Sequence, residues 1–153
     1  MSMDSILKEY FNSLKGKRVA VIGLGVSNRP LVEGMLDAGV AVMVCDKRRR
    51  EEFNGLVETL ERRGMSAVLG PDYLERLGGA DIIFRTPGLR PDVPQIARAV
   101  AEGAKLTSEM EAFLELCPCR IIAVTGSDGK TTTTTIIAGL LKAAGYRTFV
   151  GGN

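Results

Sequence analysis

Residues 18–28 read Arg-Val-Ala-Val-Ile-Gly-Leu-Gly-Val-Ser-Asn, and this stretch decides the fold. Its first half is a β-branched run, the pattern of a strand. It ends in Gly23-x-Gly25. A helix then follows, with Pro30 in its first turn, Leu31, Val32, Met35 and Leu36 as its apolar stripe, and Gly39 as its stop. Ala41 to Cys45 is the next apolar strand, and Asp46 sits at its carboxyl end. Strand, glycine turn, helix and strand make a βαβ unit with a phosphate-type turn. Gly23 and Gly25 match the first two glycines of G-x-G-x-x-G, but the third position is Asn28, so the close helix–strand packing of a dinucleotide turn is not specified. Asp46 falls about 20 residues past the turn, where an acidic partner for a ribose hydroxyl is expected. The plainer alternative is a tight turn kept for packing alone.

On either side of this unit the chain alternates helix and strand. Residues 5–14 form a short amphipathic helix. Lys47 to Arg50 is a basic run, which reads as a solvated loop or, beside the glycine turn, as a contact to a phosphate or a base. Glu51 to Arg63 reads as one surface helix with Phe53, Leu56, Val57 and Leu60 inward and Gly64 as its stop. Ser66 to Leu69 is a third strand, Pro71 to Leu77 a short helix, and Asp81 to Phe84 a fourth strand. Thr86-Pro87-Gly88 then stands at a strand's carboxyl end, where open α/β sheets bind ligands; a plain type II turn is the alternative. Val93 to Glu102 is helical, with Ile96, Ala97 and Val100 on one face, and Ala104 to Leu106 is a last short strand. Ser108 and Glu111 form a capping box for a helix that Pro118 closes.

A second phosphate-type turn follows. Ile121 to Val124 reads as a buried strand, Thr125-Gly126-Ser127-Asp128-Gly129-Lys130-Thr131 as a glycine turn, and Lys130-Thr131 as the start of a helix. Glycine has no Cβ to forbid positive φ, so such a turn can aim its N–H groups inward, and the helix adds its free N-terminal amides and dipole. Lys130 supplies a mobile cation for phosphates, and the Thr131 hydroxyl is placed to ligate Mg²⁺. The spacing is T-G-x-x-G-K-T, shorter than the common G-x-x-x-x-G-K-[ST]. Ile136, Ile137, Leu140, Leu141 and Ala144 give the helix an inward face, and Arg147 to Val150 begins another strand.

Composition narrows the function. A net charge of +2 is too small to argue for nucleic acid or a membrane surface. With no histidine in the chain, Ser-His and Cys-His nucleophile schemes are excluded and a zinc site is disfavoured. Three cysteines give no disulfide framework, which fits a reducing, cytoplasmic setting. No stretch approaches the roughly 20 apolar residues that span a bilayer.

The expected fold class is α/β: a Rossmann-like parallel sheet domain over residues 1–107, then the first βαβ unit of a second, P-loop ATPase-type domain over residues 108–153. About 35 residues after Pro118 are too few to bury an independent core of this kind. The chain is therefore read as one whole domain and the start of a second.

Five stretches, taken in order, resemble the amino-terminal part of the Mur ligase family, in its D-glutamate-adding branch. They are VIGLGVS (21–27), CDKR (45–48), TPGL (86–89), SEMEAF (108–113) and VTGSDGKTT (124–132) with GGN (151–153). The resemblance implies that Gly25, Val26 and Ser27 meet the pyrophosphate of a UDP-sugar, that Asp46, Lys47 and Arg48 contact the uridine, and that Gly88 approaches it with its backbone. Asn153 would bond the UDP-muramoyl substrate. Gly126, Ser127, Asp128, Gly129, Lys130, Thr131 and Thr132 would hold ATP, with Lys130 catalytic and Thr131 on Mg²⁺. The implied reaction of peptidoglycan synthesis joins D-glutamate to UDP-N-acetylmuramoyl-L-alanine in the cytoplasm, through an acyl phosphate. The family's other magnesium ligands, its modified lysine and its D-glutamate-binding domain have no counterpart up to Asn153, so these 153 residues are expected to lack ligase activity. Two departures stand out: Asn28 where a glycine is usual, and Ser127-Asp128 where Thr-Asn is common.

Three other readings remain open at this point: a nicotinamide-binding Rossmann module, a nucleotide-sensing regulatory domain, and another Mur-type ligase.

Overall fold

The computed structural model describes residues 3–151, which fall into two compact units, one ending at Pro118 and the other starting at Cys119. The first unit opens with α1 (Met3–Ser13) and continues β1 (Val19–Ile22), α2 (Asn28–Asp37), β2 (Val42–Asp46), a 3-10 turn (Arg50–Phe53), α3 (Leu56–Glu61), β3 (Ser66–Leu69), β4 (Ile82–Phe84), α4 (Pro94–Ala101), β5 (Lys105–Thr107) and α5 (Glu109–Leu116). All five strands are parallel, in the order β3-β2-β1-β4-β5.

A parallel sheet survives only when both faces are covered, and the packing obeys this. One layer sets Val19, Val21, Val42, Val44 and Phe84 against Val32, Met35, Val57 and Leu60. The other sets Ala20, Ile22, Cys45 and Ile83 against Leu77, Ile96 and Ala99. The expected βαβ unit is thus present, and α2 ends as the sequence predicts. Gly39, at φ +76°, donates to Leu36 O while Val40 donates to Met35 O, which closes the helix in a Schellman pattern.

Several expectations need correction. The helix read over residues 51–63 is two pieces, because Asn54 (φ 49°) and Gly55 (φ 81°) both turn left-handed between the 3-10 turn and α3. Residues 71–77 form successive turns and no helix. On α4 the inward residues are Ile96 and Ala99, while Ala97 and Val100 face out. The sequence divides the chain after residue 107, but the first unit runs on through α5. Ala112 lies in its core cluster, and Ser108 Oγ accepts from the Glu111 amide to cap the helix.

The second unit contains α6 (Lys130–Ala143) and no strand among its described residues. The strands expected over 121–124 and 147–150 are absent. A strand exists only where a neighbour completes its ladder, and within this unit none is present. The expected inward face of α6 is likewise open: Ile136 and Leu140 are exposed, and Ala138 is the buried residue. The stop is as expected, with Gly145 (φ +86°) donating to Lys142 O and Tyr146 to Leu141 O.

Candidate nucleotide site at the carboxyl edge of the sheet

Three segments singled out in the sequence leave neighbouring strands at one edge. Register pairs Ile22 with Cys45 and Val21 with Phe84, so the turns after β1, β2 and β4 emerge side by side. A Cβ placed on Gly23 would lie 3.6 Å from Thr86 Cβ. The chain adds β2 and β3 on one side of β1 and β4 and β5 on the other, so the strand order reverses between β1 and β4 while all strands stay parallel. That is the switch point at which open α/β sheets hold ligands.

The glycine turn is pinned one peptide at a time. Gly23 N–H donates to Cys45 O at 2.7 Å, and Leu24 N–H donates to Asp46 Oδ2 at 2.7 Å. The carbonyls of the same two peptides point the other way, and Asn28 Nδ2 donates to both, to Ile22 O and to Gly23 O at 3.0 Å each. Beyond this anchored pair, the N–H groups of Gly25, Val26 and Ser27 have no hydrogen-bond partner among the described residues. All three residues are exposed, Val26 to 94%. Ser27 precedes α2, so the free amides sit where the helix dipole is positive.

Asp46 is buried at the end of β2. Its Oδ1 accepts from the Arg48 amide (2.9 Å) and from Arg48 Nε (3.1 Å); its Oδ2 accepts from Leu24 N and from Arg48 Nη2 (2.9 Å). An ionised carboxylate offers about four acceptor positions, and here all are taken. Burial pushes this carboxyl up, but the hydrogen bonds from the Arg48 side chain and from the Arg48 and Leu24 amides outweigh it and hold the group below the usual carboxylate range. Arg48 also donates to Leu24 O at 2.9 Å, and its guanidinium lies 4.2 Å from the centre of the Phe53 ring, in cation–π contact. Of the basic run, Arg50 is spent on Glu58 and Glu61 of α3, while Lys47 is exposed.

After β4, Leu89 N–H donates to Thr86 O at 3.1 Å. Gly88 does not have the positive φ that a type II turn requires, so that alternative is corrected. Gly88 is exposed, with nothing within 4 Å of where a Cβ would stand.

The second unit carries its own glycine loop, where Gly126 and Gly129 take positive φ (153° and 71°). Lys130, the first residue of α6, folds back so that its amine donates to Gly126 O (2.6 Å) and Ser127 O (3.1 Å). Residues 125–133 are exposed, and the Thr131 hydroxyl has no partner among the described residues. No group of three or more His, Cys, Asp or Glu residues that could hold a metal occurs among the described residues. Asn153 lies outside them.

Sequence reasoning missed three contributors. Leu24 acts through its amide, which no side-chain pattern reveals. Phe53 reads as an ordinary core aromatic, yet it supports Arg48. Asn28 reads as a lost glycine; the signal that could have found it is a carboxamide at a helix position facing the core.

A parallel sheet in this order, with a glycine turn at its switch point, defines a Rossmann-like domain. Residues 17–108 match the family model described as Mur ligase MurD-like, N-terminal domain. The chain belongs to that family. Over 151 residues it is 51% identical to the UDP-N-acetylmuramoylalanine--D-glutamate ligase of Ruminiclostridium cellulolyticum (strain ATCC 35319 / DSM 5812 / JCM 6584 / H10), covering 99% of this chain and 32% of that protein. It is 47% identical to the enzyme of the same name from Clostridium botulinum (strain Hall / ATCC 3502 / NCTC 13319 / Type A), covering 99% of this chain and 33% of that protein. The chain thus spans about a third of the length of the curated relatives it matches. Among solved structures, glutamyl-tRNA reductase from Methanopyrus kandleri aligns with 75% of this chain and 37% of that one, at 19% identity and a TM-score of 0.48.

Proposed function

We propose that this chain supplies the UDP-sugar-binding domain and the phosphate loop of an ATP-dependent ligase that joins D-glutamate to UDP-N-acetylmuramoyl-L-alanine. The observation that carries the reading is the turn at the switch point. Two of its peptides are anchored on both sides, and the three that follow present unbonded amides. Donors held in place and left free are what a diphosphate requires.

Gly25, Val26 and Ser27 take the pyrophosphate. Arg48, braced by Phe53 and Asp46, presents its guanidinium plane and remaining donor capacity to the uridine. Lys47 adds a cation, and Asp46 contributes chiefly by holding Leu24 and Arg48. Gly88 lies open to backbone approach. Asn153 is assigned to the sugar-linked substrate. The saturated Asp46 favours this reading over a nicotinamide dinucleotide, whose ribose needs a free carboxylate oxygen at that place.

In the second unit, Gly126, Ser127, Asp128, Gly129, Lys130, Thr131 and Thr132 form the ATP loop. Lys130 exchanges two loop carbonyls for phosphate oxygens, a charge-assisted bond replacing neutral ones. The free Thr131 hydroxyl fits Mg²⁺, which takes few protein ligands and several from phosphates and water. Bound there, the ion would neutralise charge on the phosphates. The reaction proceeds by transfer of the γ-phosphoryl group to the alanyl carboxylate. The D-glutamate amine then attacks the acyl phosphate and phosphate leaves. The chain's own part is positioning and charge compensation. A cytoplasmic setting follows from this chemistry. Among the described residues, no helix is long and apolar enough to cross a membrane.

Titrating the chain with UDP while following backbone amide signals tests the first site. Shifts are expected at Ser27, Arg48 and Gly88, and the absence of any shift at all three sinks the assignment.

A further inference from the structure

We propose that Asn28 is a positioning residue for the first anion cradle, holding the turn by two hydrogen bonds that a glycine at this place could not make. This rests on the reading of that turn as a diphosphate site. Asn28 opens α2 and is 4% exposed. Its amide group has two N–H donors, and both are used, on the consecutive carbonyls of Ile22 and Gly23. The carboxamide has one workable orientation, with its nitrogen toward the turn, because its oxygen facing two carbonyl oxygens would be repulsive.

The consequence lies in the planarity of the peptide. Fixing a carbonyl fixes the N–H on the far side of the same plane. With Ile22 O held by Asn28, Gly23 N–H is aimed at Cys45 O; with Gly23 O held by Asn28, Leu24 N–H is aimed at Asp46 Oδ2. Asn28 on the helix side and β2 on the strand side thus clamp two successive peptides. The chain leaves that clamp in one direction only, which sets where the free amides of Gly25, Val26 and Ser27 point. A glycine at position 28 would let α2 approach β1 more closely but would leave both carbonyls without their donor. The two peptides would then be held from their N–H sides alone, by Cys45 O and Asp46, and a diphosphate would have to order the looser cradle on binding.

The test compares UDP with uridine, titrated against the whole chain, for the native protein, Asn28→Gly and the near-isosteric Asn28→Asp, which cannot donate when ionised. The expected result is that the advantage of UDP over uridine shrinks about tenfold in both variants, while uridine alone binds as before. A variant that is merely less stable would weaken both ligands together. Should the UDP-to-uridine ratio stay unchanged in both variants, the positioning role of Asn28 is overturned. Should the native chain show no preference for UDP, the diphosphate reading itself falls, and this role with it.

Discussion

The amide of Leu24 and the carboxylate of Asp46 meet at 2.7 Å across 22 residues of sequence, in a buried setting. The bond joins the turn after β1 to the end of β2. It also occupies one of the lone pairs that a ribose would otherwise use. Asp46 is therefore a strut, and the predictions about it concern stability and pH as much as binding.

Replacing Asp46 with Asn removes the charge from four hydrogen bonds and leaves Arg48 without its counter-ion. Bonds to charged groups contribute about 1.5–3 kcal/mol each, but Arg48 is partly exposed and Asn retains some bonding. A loss of about 2 kcal/mol in denaturant unfolding at neutral pH is expected. The folded carboxyl titrates below its unfolded value of about 3.9. Its contribution is therefore complete above that value and disappears as pH falls through the folded one. The stability gap between native protein and variant should hold steady at pH 5 to 7 and narrow in more acid solution. A gap that stays constant down to the acid transition would contradict the strut.

Gly23 and Gly25 should respond oppositely to alanine. Gly23 has φ +86°, so Gly23→Ala is strained by about 1–2 kcal/mol wherever its Cβ points. Gly25 has no such φ, and nothing lies within 4 Å of a Cβ there. Gly25→Ala should leave the unfolding free energy within about 0.5 kcal/mol and cut UDP affinity. Equal destabilisation of the two variants would show that Gly25 is kept for folding.

Lys130→Ala deletes two hydrogen bonds on an exposed loop. The cost in stability should stay within about 0.5 kcal/mol. Amide shifts induced by ATP at residues 126–132 should nonetheless disappear. Persistence of those shifts in the variant would remove Lys130 from the phosphate site.

Two of the three thiols should separate by reactivity. Cys45 is buried in the sheet, and burial pushes its thiol up to about 12, so little thiolate forms near neutrality. Cys119 is exposed. Brief alkylation at pH 8 with peptide-level mass readout should mark Cys119 and spare Cys45 until denaturant is added. Labelling of Cys45 at the rate of Cys119 would mean that β2 opens readily.

Local patterns were legible because their physics is local. The stops at Gly39 and Gly145 and the cap at Ser108 each depend on residues within a few positions, and the run Val19–Ile22 states its extended preference in the same local way. The break at Asn54 and Gly55 was missed because an apolar stripe continues through it. The strands read over 121–124 and 147–150 failed for another reason: a β-branched run states a preference, and only a ladder partner makes it a strand.

The sequence by itself determined the class of the chain, a strand–glycine-turn–helix unit followed by a second phosphate-type loop, since glycine spacing and apolar period are written along the backbone. Tertiary structure alone decided which strands are neighbours, that Asp46 spends its oxygens on Leu24 and Arg48, and that Asn28 bonds the carbonyls of Ile22 and Gly23. Those outcomes depend on which donors reach which acceptors once β1, β2 and α2 have packed.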